Sequence, residues 1–201
     1  VHLLRAAANL FKAEELERIA PRQRLAGTKP GPGVPPTTSP EGRRDQVWSR
    51  LGTDPIAVTE AIAYDFLAKG GKYSRPFITL AVYDALTGGK ATGGSGAEEV
   101  AKFSDSVRRA AMSIETFHKA SLVHDDIEDN DAERYGESTL HEEHGVPVAL
   151  NVGDLLIGEG YRLLADSNLS STIRAAALKV AAEGQRELCR GQGAELLWNN
   201  N

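Results

Sequence analysis

At 201 residues, with ordinary apolar and charged fractions, the chain is long enough for one domain with a sizeable core. No apolar run approaches the ~20 residues that span a bilayer and none reads as a signal peptide, while a lone cysteine, Cys189, leaves no disulfide within the chain and suits a reducing, cytoplasmic setting. The net charge of −5 is uneven: residues 1–50 hold nine Lys/Arg against five acids, residues 51–124 balance at eight each, and residues 125–201 hold six against fifteen, which argues against nucleic acid and for bound cations.

In chain order, Leu3, Leu4, Ala7, Leu10, Phe11, Leu16 and Ile19 give residues 2–19 a helical period. Residues 21–42 are rich in Pro and Gly and read as a linker or extended arm, so residues 1–42 form an N-terminal helix plus arm, and the helical domain occupies 43–201. On this reading the first helix is a docking segment or part of a preceding region. A short helix is predicted at about 44–51. Asp54-Pro55 then starts a helix that stops at Gly70-Gly71, and Ser74-Arg75-Pro76 starts another that runs to about Leu86. Beyond a Gly-rich loop at 88–96, one long helix is predicted over 97–131. A loop at 132–146 leads to Val146-Pro147, which opens a helix to about Ala165, and Ser170-Ser171-Thr172 caps a last one towards Leu197. No period-2 strand stands out, so the expected class is all-α, with long helices side by side. Val1 is no initiator methionine and the chain stops straight after a helical pattern, so we read it as part of a longer protein.

The densest chemistry lies at the end of the long predicted helix, where Asp125, Asp126, Glu128, Asp129, Asp131 and Glu133 crowd together. Asp125 and Asp129 are one turn apart and face the same way. An acidic run alone reads as a solvated face. Here the acids follow an apolar turn, and like charges at a helix C-terminus repel one another and oppose the macrodipole unless cations sit there. Magnesium, which bridges one or two carboxylates to substrate phosphates, fits that requirement.

A basic counterpart lies upstream in Gly70-Gly71-Lys72-Tyr73-Ser74-Arg75-Pro76. The glycines permit a tight turn, and Lys72 and Arg75 stand at a helix N-terminus that already favours anions. His118, two turns before Asp125 on the same face, is the better histidine candidate, ahead of His124. Together these residues suggest a pocket for two anions, one held through metal and the other by basic side chains.

The segments Gly70-Gly71-Lys72-x-x-Arg75-Pro76, His118-x-x-Ser121-Leu-Val-His-Asp125-Asp126-x-x-Asp129, Arg134-x-Gly136-x-x-Thr139-x-His141, Gly153-Asp154-Leu155-Leu156 and Gly191-Gln192-x-x-Glu195-Leu196, in this order, resemble the trans-isoprenyl diphosphate synthases, or polyprenyl synthetases. The resemblance spans about residues 55–198. It implies an isoprenoid-synthase-type bundle around a central cavity, a homodimer, and condensation of an allylic diphosphate with isopentenyl diphosphate to a longer all-trans product. Asp125 and Asp129 would bind Mg2+ and the allylic diphosphate, with Asp126 in support and Arg134 as a further contact. Lys72, Arg75 and His118 would hold isopentenyl diphosphate, and Gln192 would lie near the metal. The growing chain would run back along the helix past small Ala120 towards Phe117, and a C20 or longer product is expected.

Three departures stand out. Tyr135 replaces the second arginine of the family pattern, Tyr73 stands where a base is common, and Glu195 where Asp is usual. The family's second Asp-rich motif would lie beyond the C-terminal end of this chain. A terpene cyclase on the same scaffold, and an inactive or regulatory subunit of a heteromeric synthase, are the competing readings.

Overall fold

The computed structural model describes residues 1–19, 54–93 and 96–199. The proline-rich arm and the helix expected at 44–51 lie outside them. Within them run helices α1 (His2–Asn9), α2 (Ala13–Ile19), α3 (Pro55–Ala68), α4 (Ser74–Leu86), α5 (Gly96–Ala101) and α6 (Asp105–Glu128). A two-stranded ribbon, β1 (Glu133–Arg134) and β2 (Glu137–Ser138), leads to α7 (Leu140–His144), α8 (Val146–Ala165) and α9 (Ser171–Asn199). The class is all-α, as expected, and the ribbon and α7 fill what was read as a plain loop.

Local chemistry sets the helix ends. Asp54 accepts a bond from the Ile56 amide at 3.0 Å, and Pro55 fills the first helical position of α3. The long helix expected over 97–131 is divided instead. Ser104, in extended conformation, caps Val107 and restarts the helix as α6, while the preceding Phe103 turns its ring edge-on to Tyr83, with centroids 5.2 Å apart. At its other end α6 stops at Asp129. Asn130 takes a left-handed φ of 54°, and the Asp131 amide donates to the Asp126 carbonyl at 2.9 Å, a Schellman-type closure. Asp131 therefore lies outside the helix. In the ribbon, Tyr135 and Gly136 both have positive φ, as a primed two-residue turn requires.

Antiparallel α6 and α8 form the centre. Ser113 Oγ donates to the Gly160 carbonyl at 2.7 Å, and glycines on α8 permit the close approach. A Cβ at Gly153 would lie 2.5 Å from the His124 ring, and one at Gly160 would lie 2.7 Å from the Phe117 ring. Around this pair, α3 joins α8 through Tyr64 and buried Glu159. The N-terminal helices share the core rather than standing apart: Leu3, Ala7, Leu10, Phe11 and Leu16 are buried with it, Phe11 stacks on Tyr73, and Arg18 pairs with Asp105. The long α9 packs against α8 and has no buried residue.

Candidate active site

The helical period of α6 places Ala110, Ile114, Phe117, His118, Ser121 and Asp125 on one stripe. From Ala110 to Ser121 that stripe forms one wall of a largely apolar cavity of about 810 Å³. Ala177, Val180 and Gly184 of α9 help to form the opposite wall. At ~1.5 Å per residue, Ala110 lies about 22 Å along the axis from Asp125. Phe117 lines the cavity with its ring over Gly160, edge-on to Tyr161 at 4.8 Å between centroids. The cavity continues past it to Ile114 and Ala110, so Phe117 borders the cavity part-way along.

Just beyond the cavity, Gln192 of α9 reaches across to the acids of α6. Its amide donates to Asp125 Oδ1 at 3.1 Å and to Glu128 Oε2 at 2.8 Å. The Asp125 carboxyl is pushed above the usual range, first by burial and then by the neighbouring charges of Asp129 and Glu128. Asp129 is exposed one turn on. Asp126, expected in a supporting place, is held by the ribbon. It is 2% exposed, about 100° round the helix from Asp125, and accepts from Arg134 Nε at 2.8 Å and from a second guanidinium nitrogen. Arg134 also approaches Asp131 at 3.5 Å. These two residues join the ribbon to α6 beside Asp125, whose carboxyl Arg134 pulls down and Asp126 pushes up.

The basic turn follows α3, with Gly70, Gly71 and Tyr73 at φ of 50°, 102° and 48°. Arg75, in the first turn of α4, lines the cavity beside His118. Lys72 is exposed on the turn and is not part of the cavity wall. Burial pushes the His118 imidazole down to about 4, reinforced by Arg75, Lys119 and Arg134. His118 is therefore neutral at physiological pH and can donate one ring N–H to an anion while Arg75 supplies charge.

Two charged residues that the sequence reading passed over also lie here. Glu115 and Lys119, one turn apart, face away from the cavity stripe; Glu115 is 2% exposed and Lys119 has no exposed surface. Burial lowers the Lys119 ammonium to about 8, against an opposing pull from Glu115, and raises the Glu115 carboxyl. The signal available was two ionisable residues in helical register on a face otherwise buried, at Ala111, Met112 and Ala120.

Among the described residues no three His, Cys, Asp or Glu side chains converge to enclose an ion. Asp125 and Asp129, one turn apart beside a carboxylate-binding amide, nonetheless suit magnesium, which takes one or two carboxylates and fills its other positions with water and phosphate.

Residues 57–201 match the polyprenyl synthetase family. Among curated proteins, the chain is 36% identical over 130 residues to a geranylgeranyl pyrophosphate synthase of Geoglobus acetivorans, covering 65% of this chain and 36% of that protein. It is 37% identical over 132 residues to the geranylfarnesyl diphosphate synthase of Aeropyrum pernix, covering 64% and 38%. The chain thus spans little more than a third of the length of these relatives. Among solved structures, the Geoglobus acetivorans synthetase superposes with a TM-score of 0.62 at 28% identity, over 81% of this chain and 48% of that one. The Helicobacter pylori geranyltransferase complexed with magnesium and isoprenyl diphosphate superposes with a TM-score of 0.53 at 29% identity, over 70% and 45%. With the family match covering the bundle from α3 to the C-terminus, the chain belongs to the polyprenyl synthetases.

Proposed function

We propose that the protein is a magnesium-dependent trans-prenyltransferase that condenses an allylic diphosphate with isopentenyl diphosphate to a product of C20 or longer. One observation carries this reading: a single stripe of α6 joins the acidic end, His118 and an apolar cavity long enough for a prenyl chain, with Arg75 on the same wall. Asp125 and Asp129 would hold the Mg2+ that engages the allylic diphosphate, and Gln192 steadies Asp125 from α9. Mg2+ bound there would neutralise charge on the departing diphosphate. Lys72, Arg75 and neutral His118 hold the second diphosphate by charge and by an N–H donor. The small and aliphatic side chains of α6 and α9 take the growing hydrocarbon and keep water from the cation formed when the allylic C–O bond breaks. Arg134 and Asp126 act together in this reading, the ion pair holding the ribbon beside the acidic site.

The Geoglobus and Aeropyrum relatives, named for C20 and longer products, support the expected length. The reading extends to a cytoplasmic homodimer: Cys189 is free and exposed, which suits a reducing compartment, and Val146, Val148 and Leu150 expose apolar surface at the start of α8. No helix among the described residues is long and apolar enough to cross a membrane.

The test is incubation of the full-length protein with Mg2+, labelled isopentenyl diphosphate and each allylic diphosphate in turn. Label in longer prenyl diphosphates is the expected result. Unlabelled cyclic hydrocarbon would show a cyclase instead, and turnover only after a partner is added would show a regulatory subunit.

A further inference from the structure

The face of α6 turned away from the cavity carries a second assembly. The Lys119 ammonium donates to the carbonyls of Lys69 and Gly70, the latter at 3.2 Å, where α3 gives way to the basic turn. It also lies 4.3 Å from the centroid of the Tyr135 ring and 5.5 Å from that of Phe66. The Tyr135 ring rests on bare backbone: a Cβ at Gly70 would come within 2.6 Å of its Cγ. Tyr135 holds this position with a φ of 58°, a conformation that costs a non-glycine residue energy and persists only where the surroundings hold it. On either side of Tyr135, Arg134 pairs with buried Asp126 of α6 and Glu137 pairs with Lys69 at 2.8 Å. The ribbon therefore grips both α6 and the turn, and Lys119 of α6 touches the end of α3, the ribbon and the turn together.

We propose that Lys119 is a positioning residue for the second diphosphate: with Tyr135 it clamps the turn at Gly70 and so sets where Lys72 and Arg75 stand relative to the acidic end of α6. The inference rests on the prenyltransferase reading given above. Lys119 touches no substrate in this role, because its ammonium is committed to two carbonyls and two rings. Tyr135, which cannot make a two-pronged phosphate contact, thereby supports the basic turn from behind.

The test uses the full-length protein and three substitutions. Lys119→Met keeps length but removes the charge. It should raise KM for isopentenyl diphosphate by about tenfold while shifting KM for the allylic diphosphate by less than about twofold. Tyr135→Phe, which retains the ring, should keep the wild-type constants, and Tyr135→Leu should reproduce the Lys119→Met defect. The double variant Lys119→Met/Tyr135→Leu should be no worse than either single change, because one clamp is lost in each case. Amide hydrogen exchange should quicken at residues 70–75 and stay unchanged in α8. Equal rises in both KM values, or a lowered melting temperature with an unaltered KM ratio, would overturn the proposal. Should Lys119→Met fail to fold, Tyr135→Leu in the exposed ribbon gives the same decision. Absence of isopentenyl incorporation by the wild type would instead refute the functional reading, and with it the diphosphate role; exchange at the turn still decides the clamp, which unchanged exchange in Tyr135→Leu would eliminate.

Discussion

Asp125 sits among like charges. Its carboxyl is raised by burial and by Asp129 and Glu128, so a divalent cation bound there would relieve the repulsion. Adding Mg2+ should raise the melting temperature, by the equivalent of about 2.7 kcal/mol at roughly a hundred times Kd. Asp125→Asn should abolish that shift and lower kcat by about a hundredfold or more, since several kcal/mol of charge stabilisation is lost; a Mg2+-dependent shift retained by the variant would place the ion elsewhere. His118 makes a separate prediction. Its folded pKa, about 4, lies below the ordinary value of 6.5, so between these the unfolded chain binds a proton that the folded one refuses. The stability associated with neutral His118 is complete above pH ~6.5 and is lost as pH falls towards 4. Differential scanning fluorimetry at pH 7 and 5 should show a smaller acid-induced drop for His118→Gln than for wild type, and equal drops would contradict the assignment. Both residues were legible in the sequence from spacing alone, being seven apart on one helical face. The pairing of Asp126 with Arg134 was not, because only the fold of the ribbon brings that guanidinium to the buried carboxylate.

Among the elements, α6 does most of the work, and it has two faces. One stripe carries Phe117 and His118 into the cavity wall and Asp125 just beyond it; the other carries Glu115, Lys119 and Asp126 towards α3 and the ribbon. Where α6 meets α8, Gly160 leaves room for the Phe117 ring, and a methyl group there would sit 2.7 Å from it. Gly160→Ala should therefore push the ring into the cavity and shorten the product, at a stability cost of about 1–3 kcal/mol. Phe117→Ala should lengthen the product. Chromatography of the chain-length distribution checks both; an unchanged product from both variants would show that the ring does not border the prenyl path. The division of the predicted 97–131 helix into α5 and α6 was within reach of sequence reasoning, since Ser104 is a good cap. The apolar period simply ran on through Phe103, whose ring finds Tyr83 only in the folded chain.

At the scale of the molecule, the cavity exists because α9 lies along α6 with small residues facing it. Ala176, Ala177, Ala181 and Gly184 leave space that larger side chains would fill. Ala177→Phe should occupy part of the cavity and shift products towards shorter chains; a wild-type product distribution would mean the prenyl chain takes another route. The all-helical class, most helix ends and the two charged motifs could be read from the chain because caps, periodicity and like-charge spacing are encoded within a few residues of each other. What the sequence alone could not decide is how Lys119 meets a carbonyl 49 residues away, why Gly70 must be bare for Tyr135, and which carboxylate Arg134 holds. Those contacts form between segments that leave no periodic trace in one another, so only the packing of α3, α6 and the ribbon determines them.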